Sequence, residues 1–131
     1  MPIVAATGGR IKGIDVDGAL LQLQIDETTY YNILKIFYRQ NRDTLSSFAS
    51  ALDKKDFTYL KALAHSLKGS SGNIGASETQ AIASKIEALA DQELPDSEKK
   101  ALLSSHLDRL AKEMEVVMQS LEQAFSSGQR V

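Results

Sequence analysis

Between residues 103 and 121, Leu103, Leu107, Leu110, Met114, Val117 and Leu121 follow one another in alternating steps of four and three. That spacing lays one continuous apolar stripe along an α-helix and nothing coherent along a strand. A helix striped in this way gains most of its stability from other helices that cover the stripe. Nowhere does the chain alternate apolar and polar residues for more than a few positions, and it holds no internal repeat. The pattern predicts an all-α fold.

Caps and stripes place the other helices. A short one is expected over residues 15–23, its acidic start matching the positive end of the helix dipole. A long one is expected from about Glu27 to Leu52, capped by Asp26, with Tyr30, Ile33, Leu34, Phe37, Leu45, Phe48 and Leu52 on one stripe. Asp56 caps a third through Phe57, Leu60, Leu63, Ala64 and Leu67, which Gly69, Gly72 and Gly75 weaken and then end. Ser77 is the expected cap of a fourth, with Ile82, Ile86 and Leu89 inward, stopping before Pro95, and Ser97 opens the last. Four substantial helices with short connections predict an antiparallel up-and-down four-helix bundle, with the short additional N-terminal helix covering one end. Residues 1–10 read as a flexible lead or linker, 11–126 as the domain and 127–131 as a frayed C-terminus.

Composition narrows the function classes. The 131 residues are 43% apolar and 24% charged, enough for one domain with its own core. With 15 basic against 17 acidic residues, the net charge of -2 offers no footprint for nucleic acid. The absence of cysteine excludes disulfides, thiol nucleophiles and cysteine-bound metal, and fits a cytoplasmic protein. No apolar run approaches the roughly 18 residues of a membrane span, so no direct membrane contact is expected. Neither His65 nor His106 has glutamate three places before it, as a carboxylate di-metal bundle requires, and no phosphate-cradling glycine loop is present. No metal and no cofactor is expected in this chain.

One segment departs from what packing alone demands. At about 100° per residue, Leu60, Leu63, Ala64 and Leu67 gather on one side of the third helix, while His65 points roughly 150° away, toward water. Lys61, Lys68, Gly69 and Gly72 share its face, which reads as flat, cationic and bare. A glycine inside a helix costs about 1 kcal/mol relative to alanine, so two beside one histidine ask for a reason. Close approach of another molecule to the imidazole supplies one. Imidazole is substantially neutral near pH 7 and offers a nitrogen lone pair, which suits nucleophilic transfer. An ammonium one turn on, at Lys68, can neutralise phosphoryl oxygens.

The run His65-Ser66-Leu67-Lys68-Gly69, followed by Ser70-Ser71-Gly72-Asn73-Ile74-Gly75, closely resembles the signature of histidine-containing phosphotransfer domains of multistep two-component phosphorelays. The resemblance extends, more loosely, through Gly13-Ile14-Asp15-Val16 and Tyr30-Tyr31-Asn32-Ile33-Leu34-Lys35-Ile36-Phe37. It implies that His65 is the phosphorylated residue, Lys68 the phosphoryl-stabilising cation and Gly69 the close-approach residue, with Ser66 and Gly72 on a docking rim that Lys61 also flanks. It places Glu87 beside the imidazole as an orienting acceptor. Implied partners are response-regulator receiver domains, with a hybrid sensor histidine kinase in cis or in trans that would tether a cytoplasmic domain to a membrane sensor. The receiver would supply the magnesium, and the carrier would be a monomer without ATP-dependent kinase activity of its own. Where many relatives have a glycine-aspartate pair before the second helix, this chain reads Gln24-Ile25-Asp26.

Two other readings stand beside this one. A histidine-kinase dimerisation helix pair calls for an acidic residue directly after the histidine and a proline soon afterwards, whereas Ser66 and Gly69 occupy that region. A structural or scaffolding bundle would make His65 incidental and leave Gly69 unexplained. His106, with no glycine beside it on a helix explained by its seam, reads as structural or solvated.

Overall fold

The computed structural model describes residues 11–128. The loose lead expected over residues 1–10 and the last three positions of the expected frayed end lie outside the described residues. Six helices follow in order: α1 Val16–Leu23, α2 Glu27–Gln40, α3 Thr44–Asp53, α4 Phe57–Ile74, α5 Ser77–Ala90 and α6 Asp96–Gly128. No strand occurs among the described residues, only an isolated bridge between Ile11 and Ile14. The fold is all-α.

Three aspartates begin helices in the way their position predicts. Asp15, Asp26 and Asp56 accept the backbone N–H groups of Gly18, Thr29 and Tyr59 at 3.0, 2.7 and 3.1 Å. The α6 seam is core: Leu103, Leu110, Met114, Val117 and Leu121 are buried, and Leu107 packs against them half-exposed. They meet Tyr30, Leu34 and Phe37 of α2, Phe48 of α3, Leu60, Ala64 and Leu67 of α4, and Ile82 and Ile86 of α5 in one cluster. Contacts across the helices fix two directions. Lys61–Asp91 and His65–Glu87 make α5 antiparallel to α4, while Glu78–Arg109 and the Lys99 bond to the Ala90 carbonyl make α6 antiparallel to α5.

The helix expected from Glu27 to Leu52 is in fact two, broken at residues 41–43. Asn41 is the cause. Its backbone N–H and its side-chain amide both donate to the Phe37 carbonyl, at 3.1 and 2.9 Å, while its Oδ1 accepts the Thr44 hydroxyl at 2.8 Å. A side chain that bonds the backbone locally competes with continued winding. Phe37 and Phe48 are 11 residues apart, almost whole turns, so the stripe continues across the break and conceals it.

The α4–α5 turn differs by one residue from the expected cap. Ala76 holds the cap position with no side-chain bond, and Ser77 is already helical. Burial decides the register: Ala76 is fully buried, and its N–H bonds the Ser71 carbonyl at 2.9 Å. Likewise α6 begins at Asp96 rather than after Ser97. Gly69 and Gly72 do not end α4, which runs unbroken to Ile74. Gly75 ends it in the left-handed region, at φ 85°, where a Cβ would stand 2.5 Å from the Asp15 carbonyl oxygen. The buried Tyr30 hydroxyl donates to the Ile74 carbonyl at 2.7 Å, and its phenol is pushed far above the ordinary range by burial and then by Asp15. The end of the helix that carries His65 is thereby pinned to α1 and α2.

Candidate functional site

His65 stands in the middle of α4, on the turn whose other side buries Leu60, Ala64 and Leu67. Its side chain is 71% exposed. The face predicted for it from helical geometry is the face it occupies.

The ring meets a carboxylate from α5: Nδ1 lies 2.7 Å from Glu87 Oε2. Lys68 Nζ donates to the other oxygen of the same carboxylate at 2.6 Å. Glu87, only 17% exposed, thus joins the two residues singled out on α4. Its carboxyl is held below the usual carboxylate range, first by the bond from Lys68 and then by that from His65, against the desolvation that opposes both. An ionised carboxylate only accepts, so in the neutral ring the hydrogen belongs on Nδ1 and the lone pair on Nε2.

The two edges of the face differ. Toward α5 the ammonium groups are matched by acids: Lys68 by Glu87, and Lys61 by Asp91 at 2.9 Å, a bond that raises the Lys61 ammonium above its ordinary value. The face is therefore not the freely cationic surface that the lysine spacing suggests. Its acids come from another helix and do not enter the α4 pattern. On the opposite edge Tyr59, Ala62, Ser66, Gly69 and Asn73 are all exposed and uncharged. Ser66 and Ser70 border a groove of about 330 Å³ whose far wall, Gln40, Asn41, Asp43, Thr44 and Ser47, comes from the break between α2 and α3.

The two glycines separate as well. A Cβ on Gly69 would meet nothing within 4 Å. One on Gly72 would run into the side-chain amide of Gln80, so Gly72 admits a neighbouring helix's side chain rather than open solvent. The rim at Gly72 is thus lined by Gln80 and is not bare. Tyr59, 49% exposed, and Asp91 were not singled out from sequence. Asp91, the cap at the C-terminal end of α5, follows Glu87 by one turn, a signal that becomes readable once α4 and α5 are known to be antiparallel.

His106 lies apart from this site, half-buried on α6, with a buried Nδ1 that meets no hydrogen-bond partner among the described residues. No group of three histidine, aspartate or glutamate residues among the described residues is placed to hold a metal ion. No described helix is long and apolar enough to cross a membrane.

A family model described as "Hpt domain" matches residues 32–120, a span that runs from within α2 to within α6 and includes His65, Lys68 and Glu87. No curated protein and no solved structure matches the chain.

Proposed function

Starting from the Hpt domain family, to which this chain belongs, we propose that His65 carries a phosphoryl group between receiver domains of a two-component phosphorelay. Membership of that family supports a part in phosphotransfer in such relays, as a carrier rather than a kinase. The single observation that supports the reading most is the mid-helix imidazole, exposed on a firm apolar base, with its Nδ1 occupied by Glu87 and its Nε2 without a hydrogen-bond partner among the described residues.

In this reading a receiver phosphoaspartate approaches across Gly69, and Nε2 attacks phosphorus in line with the bond to the leaving aspartate oxygen. A second receiver aspartate later takes the group by the reverse displacement. Lys68, one turn on, moves from Glu87 toward the phosphoryl oxygens and offsets their charge. Glu87 orients the ring. Ser66, Gly69 and the exposed ring of Tyr59 form the uncharged docking edge, and Lys61 flanks the other. Magnesium belongs to the receiver, which supplies most of the electrostatic assistance. The helices are taken to form an antiparallel four-helix bundle, with α2 and α3 together as one of the four and α1 as the additional N-terminal helix. The domain acts in the cytoplasm as a monomer.

Incubation with a phosphorylated receiver and magnesium, without ATP, is expected to label the chain and to leave a His65→Gln variant unlabelled. Equal label on the variant would end the proposal. The label is expected to be lost in acid and kept in base, as a phosphoramidate behaves; the reverse would indicate an acyl or ester phosphate.

A further inference from the structure

We infer that Glu87 holds the Nδ1 proton of His65 throughout both halves of the transfer, so that the phosphorylated ring is kept as a phosphoimidazolium and no proton enters or leaves it. The inference rests on His65 being the phosphorylated residue and concerns how that residue is made both nucleophile and leaving group.

The geometry limits what the ring can do at Nδ1. Glu87 Oε2 is 2.7 Å from that nitrogen, and before transfer its sister oxygen accepts from Lys68 at 2.6 Å; when Lys68 turns to the phosphoryl oxygens, the bond to Nδ1 is the one that Glu87 keeps. A carboxylate has no hydrogen to donate while it is ionised. Once Nε2 has bonded to phosphorus, loss of the Nδ1 proton would leave a lone pair facing the carboxylate oxygens, two acceptors with no hydrogen between them. Retaining the proton instead places a cationic ring against an anion at hydrogen-bond distance. The charged groups around the ring leave this balance to Glu87. From α4 come Lys61 and Lys68, from α5 Glu87, and from the cap at its end Asp91; Lys61 is matched by Asp91, and Asp43 of the α2–α3 break lies across the groove beyond Ser66.

The bonds balance without a base. In the forward half, the Nε2 lone pair forms the N–P bond while the P–O bond to the donor aspartate breaks, its electron pair leaving on that carboxylate. The ring gains a positive charge and keeps its one N–H. In the return half, the acceptor carboxylate forms a new P–O bond, and the N–P pair goes back to Nε2 as neutral imidazole. A neutral imidazole leaves more readily than an imidazolide, so the same carboxylate that aims the nucleophile keeps the phosphohistidine transferable. Glu87 touches neither phosphorus nor partner in this scheme and is a positioning residue.

The test uses the intact protein loaded at His65 with the small-molecule donor phosphoramidate, which needs no partner. The titration of the phosphorylated ring is followed by ¹⁵N NMR for the wild type, Glu87→Gln and Glu87→Asp, each checked for helix content by circular dichroism. The wild-type ring is expected to lose its Nδ1 proton at least about one pH unit higher than in Glu87→Gln. Glu87→Asp, which keeps the charge on a shorter arm, should fall between them. Across the neutral range, return transfer to a receiver is expected to be flat with pH for the wild type and to decline with rising pH for Glu87→Gln. Coincident titrations in the three folded, loaded proteins would overturn the inference and leave the carrier reading intact. Absence of phosphoryl from His65 would overturn both.

Discussion

Replacing Gly69 by alanine sets stability against function in a single methyl group. A Cβ at this position meets nothing within 4 Å, and the residue is exposed in the interior of α4. The substitution therefore carries no packing cost, and helix propensity favours alanine by about 1 kcal/mol. In a domain of this size that corresponds to a rise in Tm of roughly 3–6 °C, measurable by thermal unfolding or calorimetry. The same methyl stands one turn from His65, where a receiver must bring its aspartate within bonding range. A displacement of about 1 Å can cost on the order of 100-fold in rate, so transfer from a phosphorylated receiver is expected to slow by at least tenfold. Gly69→Leu should abolish transfer in a protein that remains folded. Gly72→Ala provides the contrast: its methyl must displace the Gln80 amide, so its gain in stability should be smaller than that at Gly69. Transfer at the wild-type rate through Gly69→Leu would refute the assignment of this edge as the docking side. A fall in stability for Gly69→Ala would refute the open space on which the reasoning depends.

Gln24 ends α1 in the left-handed region at φ 54°, which glycine adopts without the steric cost of a Cβ, and Gln24→Gly should raise unfolding stability by up to about 1 kcal/mol in a denaturant titration; a loss would show that the Gln24 side chain stabilises the turn. The Thr79 hydroxyl is fully buried without a partner among the described residues, so Thr79→Val is expected to stabilise by about 1 kcal/mol, and destabilisation would mean that the hydroxyl is hydrogen-bonded. Glu87 binds its proton less tightly folded than unfolded, so its contribution to stability is present above the ordinary carboxylate pKa and lost as pH falls through the lowered one. Glu87→Gln should accordingly flatten the acid limb of the stability–pH curve, whereas an unchanged limb would show that the bonds to Lys68 and His65 add nothing to the fold.

What sequence reveals and conceals follows from the range of the interactions involved. The α6 seam, the caps at Asp26 and Asp56 and the outward direction of His65 are local consequences of helical periodicity and hydrogen bonding within one turn, and each is found where it is expected. The break at Asn41 escaped because the apolar stripe keeps its phase across it, so a period count has nothing to detect. The resemblance to a known family placed Glu87 beside His65, yet spacing alone did not show that one carboxylate serves both His65 and Lys68. That sharing depends on α5 lying antiparallel to α4, as do the Lys61–Asp91 pair and the Gln80 side chain over Gly72. A lysine spacing on one helix reports where cations are, whereas the field they make depends on acids 19 and 30 residues away in sequence.

The most direct test of the central claim is to identify the phosphorylated atom after transfer from a phosphorylated receiver in the absence of ATP, using ³¹P and ¹⁵N NMR on ring-labelled protein. Phosphorus bonded to Nε2 of His65, with Nδ1 still bearing hydrogen, is the predicted result. Phosphorus on Nδ1, on His106 or on any residue other than His65 would contradict it.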